Sequence, residues 1–175
     1  LAHAYLWKKD FRHASQYLKQ VTDTDNLLYR SVLAEKHQLV GAYDNSIAVL
    51  DAILASRPDH YPSLLKKAAV LSWTKQFNES VSLYSRIIDD SRAADNTRIQ
   101  ARVRRAEVLA WQKQFDEALG QLDQVIQRDA DNVDARLLKA QIREWQGKYK
   151  QAKKLYNDVL QIEPENKQAQ IRMEK

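Results

Sequence analysis

The 175-residue sequence predicts an all-α fold built from antiparallel helix pairs stacked one after another. Two observations carry that prediction and a third narrows it. A motif of Trp, three residues, an aromatic, two residues and a small side chain recurs along the chain. It reads Trp7–Phe11–Ala14, Trp73–Phe77–Ser80, Trp111–Phe115–Ala118 and Trp145–Tyr149–Ala152, and Leu39–Tyr43–Ser46 is a fifth copy without the Trp. The aromatics lie 32, 34, 38 and 34 residues apart, the signature of an internal repeat. Within the period, apolar residues follow helical spacing twice, and no stretch alternates as a half-buried strand requires. The third observation is composition. Three Gly, three Pro and no Cys suit a chain in which almost every residue belongs to a helix or a tight helix turn.

The elements can be justified in order. Residues 1–26 hold the end of a first helix and a second helix opening at Phe11, a repeat cut at its start. Units of two helices, A and B, then run over 27–60, 61–98, 99–132 and 133–166, and 167–175 begins a further helix. In the last full unit Ala135, Leu138, Ile142 and Trp145 form the buried stripe of helix A. Tyr149, Ala152, Leu155, Tyr156, Val159 and Leu160 do the same for helix B, which stops ahead of Pro164 because a residue before proline is driven out of the α region. Ile53-Leu54, Ile87-Ile88 and Val125-Ile126 repeat the Val159-Leu160 pair, and Pro58 repeats Pro164. Asn132 or Asp131 can cap the helix that follows, and Pro62 sits where a first-turn proline is tolerated. Gly41 and Gly147 fall in the short A–B turn, a slot that Lys9, Lys75 and Lys113 fill elsewhere. The 38-residue spacing places an insertion near residues 91–96, where it is expected to lengthen the connection between two units.

Several chemistries are excluded. Neither a dinucleotide-binding nor a P-loop glycine pattern occurs, and the lack of Cys removes disulfides, thiolate metal sites and cysteine nucleophiles together. The four histidines (His3, His13, His37, His60) have no metal-ligand spacing, and no nucleophile elbow surrounds any serine. The reading is therefore no enzyme, no metal and no cofactor. No apolar run approaches the ~20 residues of a membrane-spanning helix. The net charge of +5, spread among charges of both signs, points to anionic partners but not to nucleic acid. The first residues lack an initiator Met and the features of a signal peptide, so a piece of a longer protein is expected.

The small residue of helix A (Ala34, Ala68, Ala106, Ala140), the aromatic and small residue opening helix B, the large residue later in helix B (Leu50, Tyr84, Leu122, Tyr156) and the terminal prolines resemble the tetratricopeptide repeat family. That resemblance implies a right-handed superhelical solenoid whose A helices line a concave groove. Two helix A positions depart from it. Where the family has a large aromatic and a leucine, this chain has Arg30 and Leu33, Leu64 and Lys67, Arg102 and Arg105, and Arg136 and Lys139. The Trp before each turn is expected to supply the missing bulk. The predicted core is accordingly Trp7, Phe11, Tyr43, Ala68, Trp73, Phe77, Ala106, Trp111, Phe115, Ala118, Ala140, Trp145, Tyr149 and Ala152.

By the same resemblance, Lys66, Lys67, Arg102, Arg105, Arg136, Lys139 and Arg143 form a ladder of cations along the groove. Such a ladder would bind a protein or acidic peptide, with anionic polysaccharide as a second ligand class. The family's clamp for a chaperone C-terminus is not matched, because Val32, Lys66, Arg104 and Leu138 stand where it has asparagines. The implied function is a non-catalytic scaffold. One alternative is a resemblance to the periplasmic repeat arrays that precede an outer-membrane barrel in bacterial exopolysaccharide-export proteins of biofilms, which favours the periplasm. Another is a regulatory repeat domain fused to an enzyme.

Overall fold

Helix follows helix in the computed structural model, which describes residues 2–174. Leu1 and Lys175, the outer limits of the first and last predicted elements, lie outside the described residues. The helices are α1 (Ala2–Trp7), α2 (Phe11–Lys19), α3 (Leu27–Leu39), α4 (Tyr43–Ser56), α5 (Tyr61–Trp73), α6 (Phe77–Asp89), α7 (Asp95–Trp111), α8 (Phe115–Arg128), α9 (Val133–Trp145), α10 (Tyr149–Ile162) and α11 (Lys167–Met173). No strand occurs among the described residues, and the fold is that of tetratricopeptide-type helix pairs. Odd-numbered helices are the A members and even-numbered ones the B members.

Every A helix before α11 ends in the same way. Its last residue is the Trp of the motif, or Leu39 in α3, and the second residue beyond it has a left-handed backbone. That residue is Lys9, Gly41, Lys75, Lys113 or Gly147, with φ between +57° and +75°. Its N–H bonds the carbonyl three residues back, and the next N–H reaches five residues back, as in Ala42 to His37 at 2.8 Å and Lys148 to Arg143 at 2.8 Å. This Schellman arrangement satisfies the helix-end carbonyls and reverses the chain in three residues. Several helix starts are capped by a side chain. Asn26, Asn132 and Asn166 each accept a backbone N–H from the first turn of the helix they precede, so Asn132 and not Asp131 caps α9.

The insertion falls elsewhere than the sequence suggests. The α6–α7 connection is 90–94, while Asp95 and Asn96 are already helical. The added residues lengthen α7 to 17 residues, against 13 in α3, α5 and α9, and the expected 98/99 boundary lies inside it. A further helical turn hides better in a stacked array than an open loop, since its backbone groups are paired internally.

Contacts divide the chain into two units, 1–83 and 84–175, with the division inside α6. In the first, Leu6, Ala14, Leu18 and Val32 form one core cluster, and Ala34, Leu50 and Ile53 another. The buried Ser46 hydroxyl donates to the Ala34 carbonyl at 3.0 Å, and Ser80 to Ala68 at 2.8 Å, each tying a B helix to its A partner. In the second unit Leu137, Ala140, Ala152, Tyr156, Val159 and Ala169 pack together. There Ala106, Ala118, Ala140 and Ala152 are buried at the helix crossings, where no serine intervenes. The Tyr156 hydroxyl donates to Glu144 Oε2 at 2.8 Å, and Arg172 lies 3.4 Å from the same oxygen, joining α9, α10 and α11. Burial, and then this bond to a carboxylate, push the Tyr156 phenol above its ordinary range.

Candidate protein-binding face

Helical spacing places Arg104, Glu107 and Trp111 along one face of α7, and Asp134, Leu138, Gln141 and Trp145 along one face of α9. In the second unit these faces enclose a cavity of about 230 Å3, closed by Gln168 of α11. Its apolar lining is Val103, Leu137 and Leu138, each almost buried. Its rim carries charges of both signs, and Arg104 and Glu107 pair along α7 at 3.1 Å. An apolar floor with a few convergent polar groups is the ordinary construction of a site for a peptide side chain. The first unit has charged residues at equivalent positions, where Glu35 of α3 lies 3.3 Å from His3 of α1 and 3.2 Å from Lys66 of α5.

The tryptophans are exposed and do not belong to the core. Trp7 is 86% exposed, Trp73 50%, Trp111 39% and Trp145 50%, and Tyr149 is 65% exposed. Their assignment to the repeat core is therefore corrected. The reason is position. A side chain on the last residue of a helix has its partner helix on one side only, because the chain reverses within three residues. Trp73 shows the partial contact that results, its ring centroid 6.0 Å from that of Tyr43 in the preceding repeat. Phe11, Tyr43, Phe77 and Phe115 are half-buried, while the alanines at 68, 106, 118, 140 and 152 are fully enclosed.

The predicted cation ladder is occupied by the chain's own acceptors. Lys66 meets Glu35 at 3.2 Å, Lys67 meets Asp51 at 2.5 Å, Arg105 meets Glu117 at 2.8 Å, and Lys139 pairs with Asp123. Arg102 donates to Gln121 and Gln124, and Arg143 to Gln146 at 2.8 Å. Arg136 donates twice to the Ala130 carbonyl, at 2.6 and 2.9 Å, and lies 4.0 Å from Asp158. Arg30 makes the same reach of six residues, to the Thr24 carbonyl at 3.1 Å, so arginine at this position ties down the connection ahead of its helix. The pairs Lys67–Asp51 and Lys139–Asp123 share a separation of 16 residues and join an A helix to the preceding B helix. These cations sit among packed helices with their methylene stems covered, and an acidic ligand would have to displace their partners. Sequence reasoning missed Glu107, Gln141 and Gln168. Their signal was available in the i, i+4 spacing that aligns residues 107 and 141 with Trp111 and Trp145.

Residues 100–132 and 134–166 match the tetratricopeptide repeat family. No curated protein matches the chain in sequence. Among solved structures, PilW, a type IV pilus biogenesis factor, superposes with a TM-score of 0.79 at 20% identity, covering 92% of this chain and 74% of PilW. MamA from Desulfovibrio magneticus RS-1 gives 0.72 at 16% identity over 95% of this chain and 93% of its own. YrrB, a repeat protein with an unusual peptide-binding site, gives 0.66 at 15% identity over 99% and 89%. At these identities the likeness is one of fold.

Proposed function

We propose that the protein is a non-catalytic interaction scaffold that holds an extended segment of a partner protein against the A-helix face of residues 84–175. The observation that carries this reading is the lined cavity between α7, α9 and α11, continued along the same helix faces by exposed Trp111 and Trp145. Exposed tryptophan is costly to leave in water and is enriched where partners dock. YrrB, with the same fold, is described by its peptide-binding site, which supports a peptide ligand here. The rim has charges of both signs and the cation ladder is internally paired, so a mixed-charge peptide fits better than a uniformly anionic polymer. No feature of this face favours the export or enzyme-fused readings over a general scaffold.

Peptides selected from a random library on the whole chain provide the test. The selected peptides are expected to lose binding roughly tenfold or more with Glu107→Lys or Gln141→Arg, which alter the rim without touching the core. Lys153→Glu on the exposed side of α10 should leave affinity unchanged. Equal binding by the rim variants, or loss with Lys153→Glu, contradicts the assignment.

A further inference from the structure

Where the repeat lengthens to 38 residues, the extra turn at the start of α7 carries Arg98. Arg98, Arg102 and Arg105 then follow at i, i+4 and i+7 on one face of that helix. The end of α8 supplies Gln124 and Arg128. Between them lies a pocket of about 160 Å3, lined by Arg98, Arg102, Arg128 and Gln124 against an apolar wall of Ile88, Ile99 and Val125. It shares no residue with the cavity on the A-helix face.

The positive charge at this pocket is only partly answered from within. Arg98 pairs with Asp95 through a terminal nitrogen. Its Nε is buried with no hydrogen-bond partner, a condition that costs free energy unless something accepts from it. Arg102 donates to the amide oxygens of Gln121 and Gln124, which carry no charge. Arg128 has no ion-pair partner among the described residues. Burial first, and then the guanidiniums of Arg128, Arg105 and Arg98, push Arg102 below the usual guanidinium range, against the opposing carboxylate of Asp89.

The following repeat shows the same place with its charge balanced. Thirty-four residues on, Arg102 becomes Arg136, Gln124 becomes Asp158 and Arg128 becomes Ile162. Arg136 there has both the Asp158 carboxylate and the Ala130 carbonyl, with no second cation at the pocket position. The repeat at 99–132 has thus exchanged an internal carboxylate for an amide, and an apolar residue for an arginine, around an open space.

We infer that the pocket between Arg98, Arg102 and Arg128 is a binding site for a phosphate group. Its volume of about 160 Å3 has room for a phosphate group. Guanidinium forks suit phosphate oxygens, and a dianion answers the charge that a single carboxylate leaves over. The apolar wall has room for the carbon of an ester, so the group can be free phosphate or a phosphorylated side chain.

The test is calorimetric titration of the whole chain at constant ionic strength with sodium phosphate, end-capped phosphoserine, acetate and chloride. Phosphate or capped phosphoserine should bind at one saturable site, with acetate and chloride giving no saturable heat. Arg98→Gln and Arg128→Gln should each weaken binding roughly tenfold to a hundredfold, the loss of one charge-assisted contact. Gln124→Asp installs the carboxylate of the following repeat and should weaken binding as much while leaving the helical circular dichroism intact. Tighter binding of phosphoserine identifies an esterified ligand, and tighter binding of inorganic phosphate a free one. Equal heats from acetate or chloride, or wild-type affinity in folded Gln124→Asp and Arg128→Gln, would overturn the proposal.

Discussion

Small side chains at the helix crossings set how closely each pair can approach. Ala34, Ala68, Ala106 and Ala140 on the A helices are 0% exposed, as are Ser46, Ser80 and Ala118 on the B helices, with Ala152 at 1%. Interiors packed at crystal-like density do not absorb extra methylenes there. Ala140→Leu should destabilise the fold by about 1–3 kcal/mol through overpacking. Ser46→Ala removes a buried hydroxyl that donates to Ala34, and should cost about 1 kcal/mol. Urea denaturation midpoints check both, and an unchanged midpoint for Ala140→Leu would mean that the crossing is looser than described. These small residues were legible in the sequence because they recur at the repeat period. The tryptophans recur in four of the five copies, yet they are exposed. Periodicity records that a position is used in every repeat, and it does not distinguish use in packing from use on the surface. What separates them is the distance to the helix end, which becomes visible only once the turn is built.

Helix ends decide the next level. Five three-residue turns share one geometry, and the left-handed residue is Lys in three of them and Gly in two. A side chain in that conformation costs roughly 1 kcal/mol that glycine avoids. Lys113→Gly should therefore stabilise the protein by about 0.5–1 kcal/mol, and Gly147→Ala should destabilise it by a similar amount. No atom lies within 4 Å of a Cβ at Gly147, so its cost is conformational and not steric. Thermal unfolding of the two variants should shift in opposite directions, and a shared direction would contradict the turn assignment. The slot itself could be aligned from sequence, since Gly and Lys interchange at a fixed offset from the Trp. The placement of the insertion could not. A 38-residue spacing states that residues were added, but whether they extend a loop or a helix depends on what packs beside them. Here the extra turn keeps its backbone bonds internal and brings Arg98 to the pocket.

Along the described residues, one helix pair repeated five times over accounts for the core and the turns. Stability in such arrays is a sum over neighbouring repeats, and a surface position can change without disturbing the rest. The charge pattern illustrates the limit of reading a sequence for its site. Basic residues on A helices could be counted, and their helix face assigned, but Lys67, Arg105 and Lys139 each find an acceptor on an adjacent helix at a sequence separation that no local pattern reveals. The face left for a partner is defined by what stays unpaired or exposed, which is a property of the assembled structure. Chemical-shift mapping of the 15N-labelled chain with a selected peptide tests this directly. The Trp111 and Trp145 indoles are expected to shift together with Arg104, Glu107, Gln141 and Gln168. Perturbations confined to the B helices, with those indoles unmoved, would contradict it.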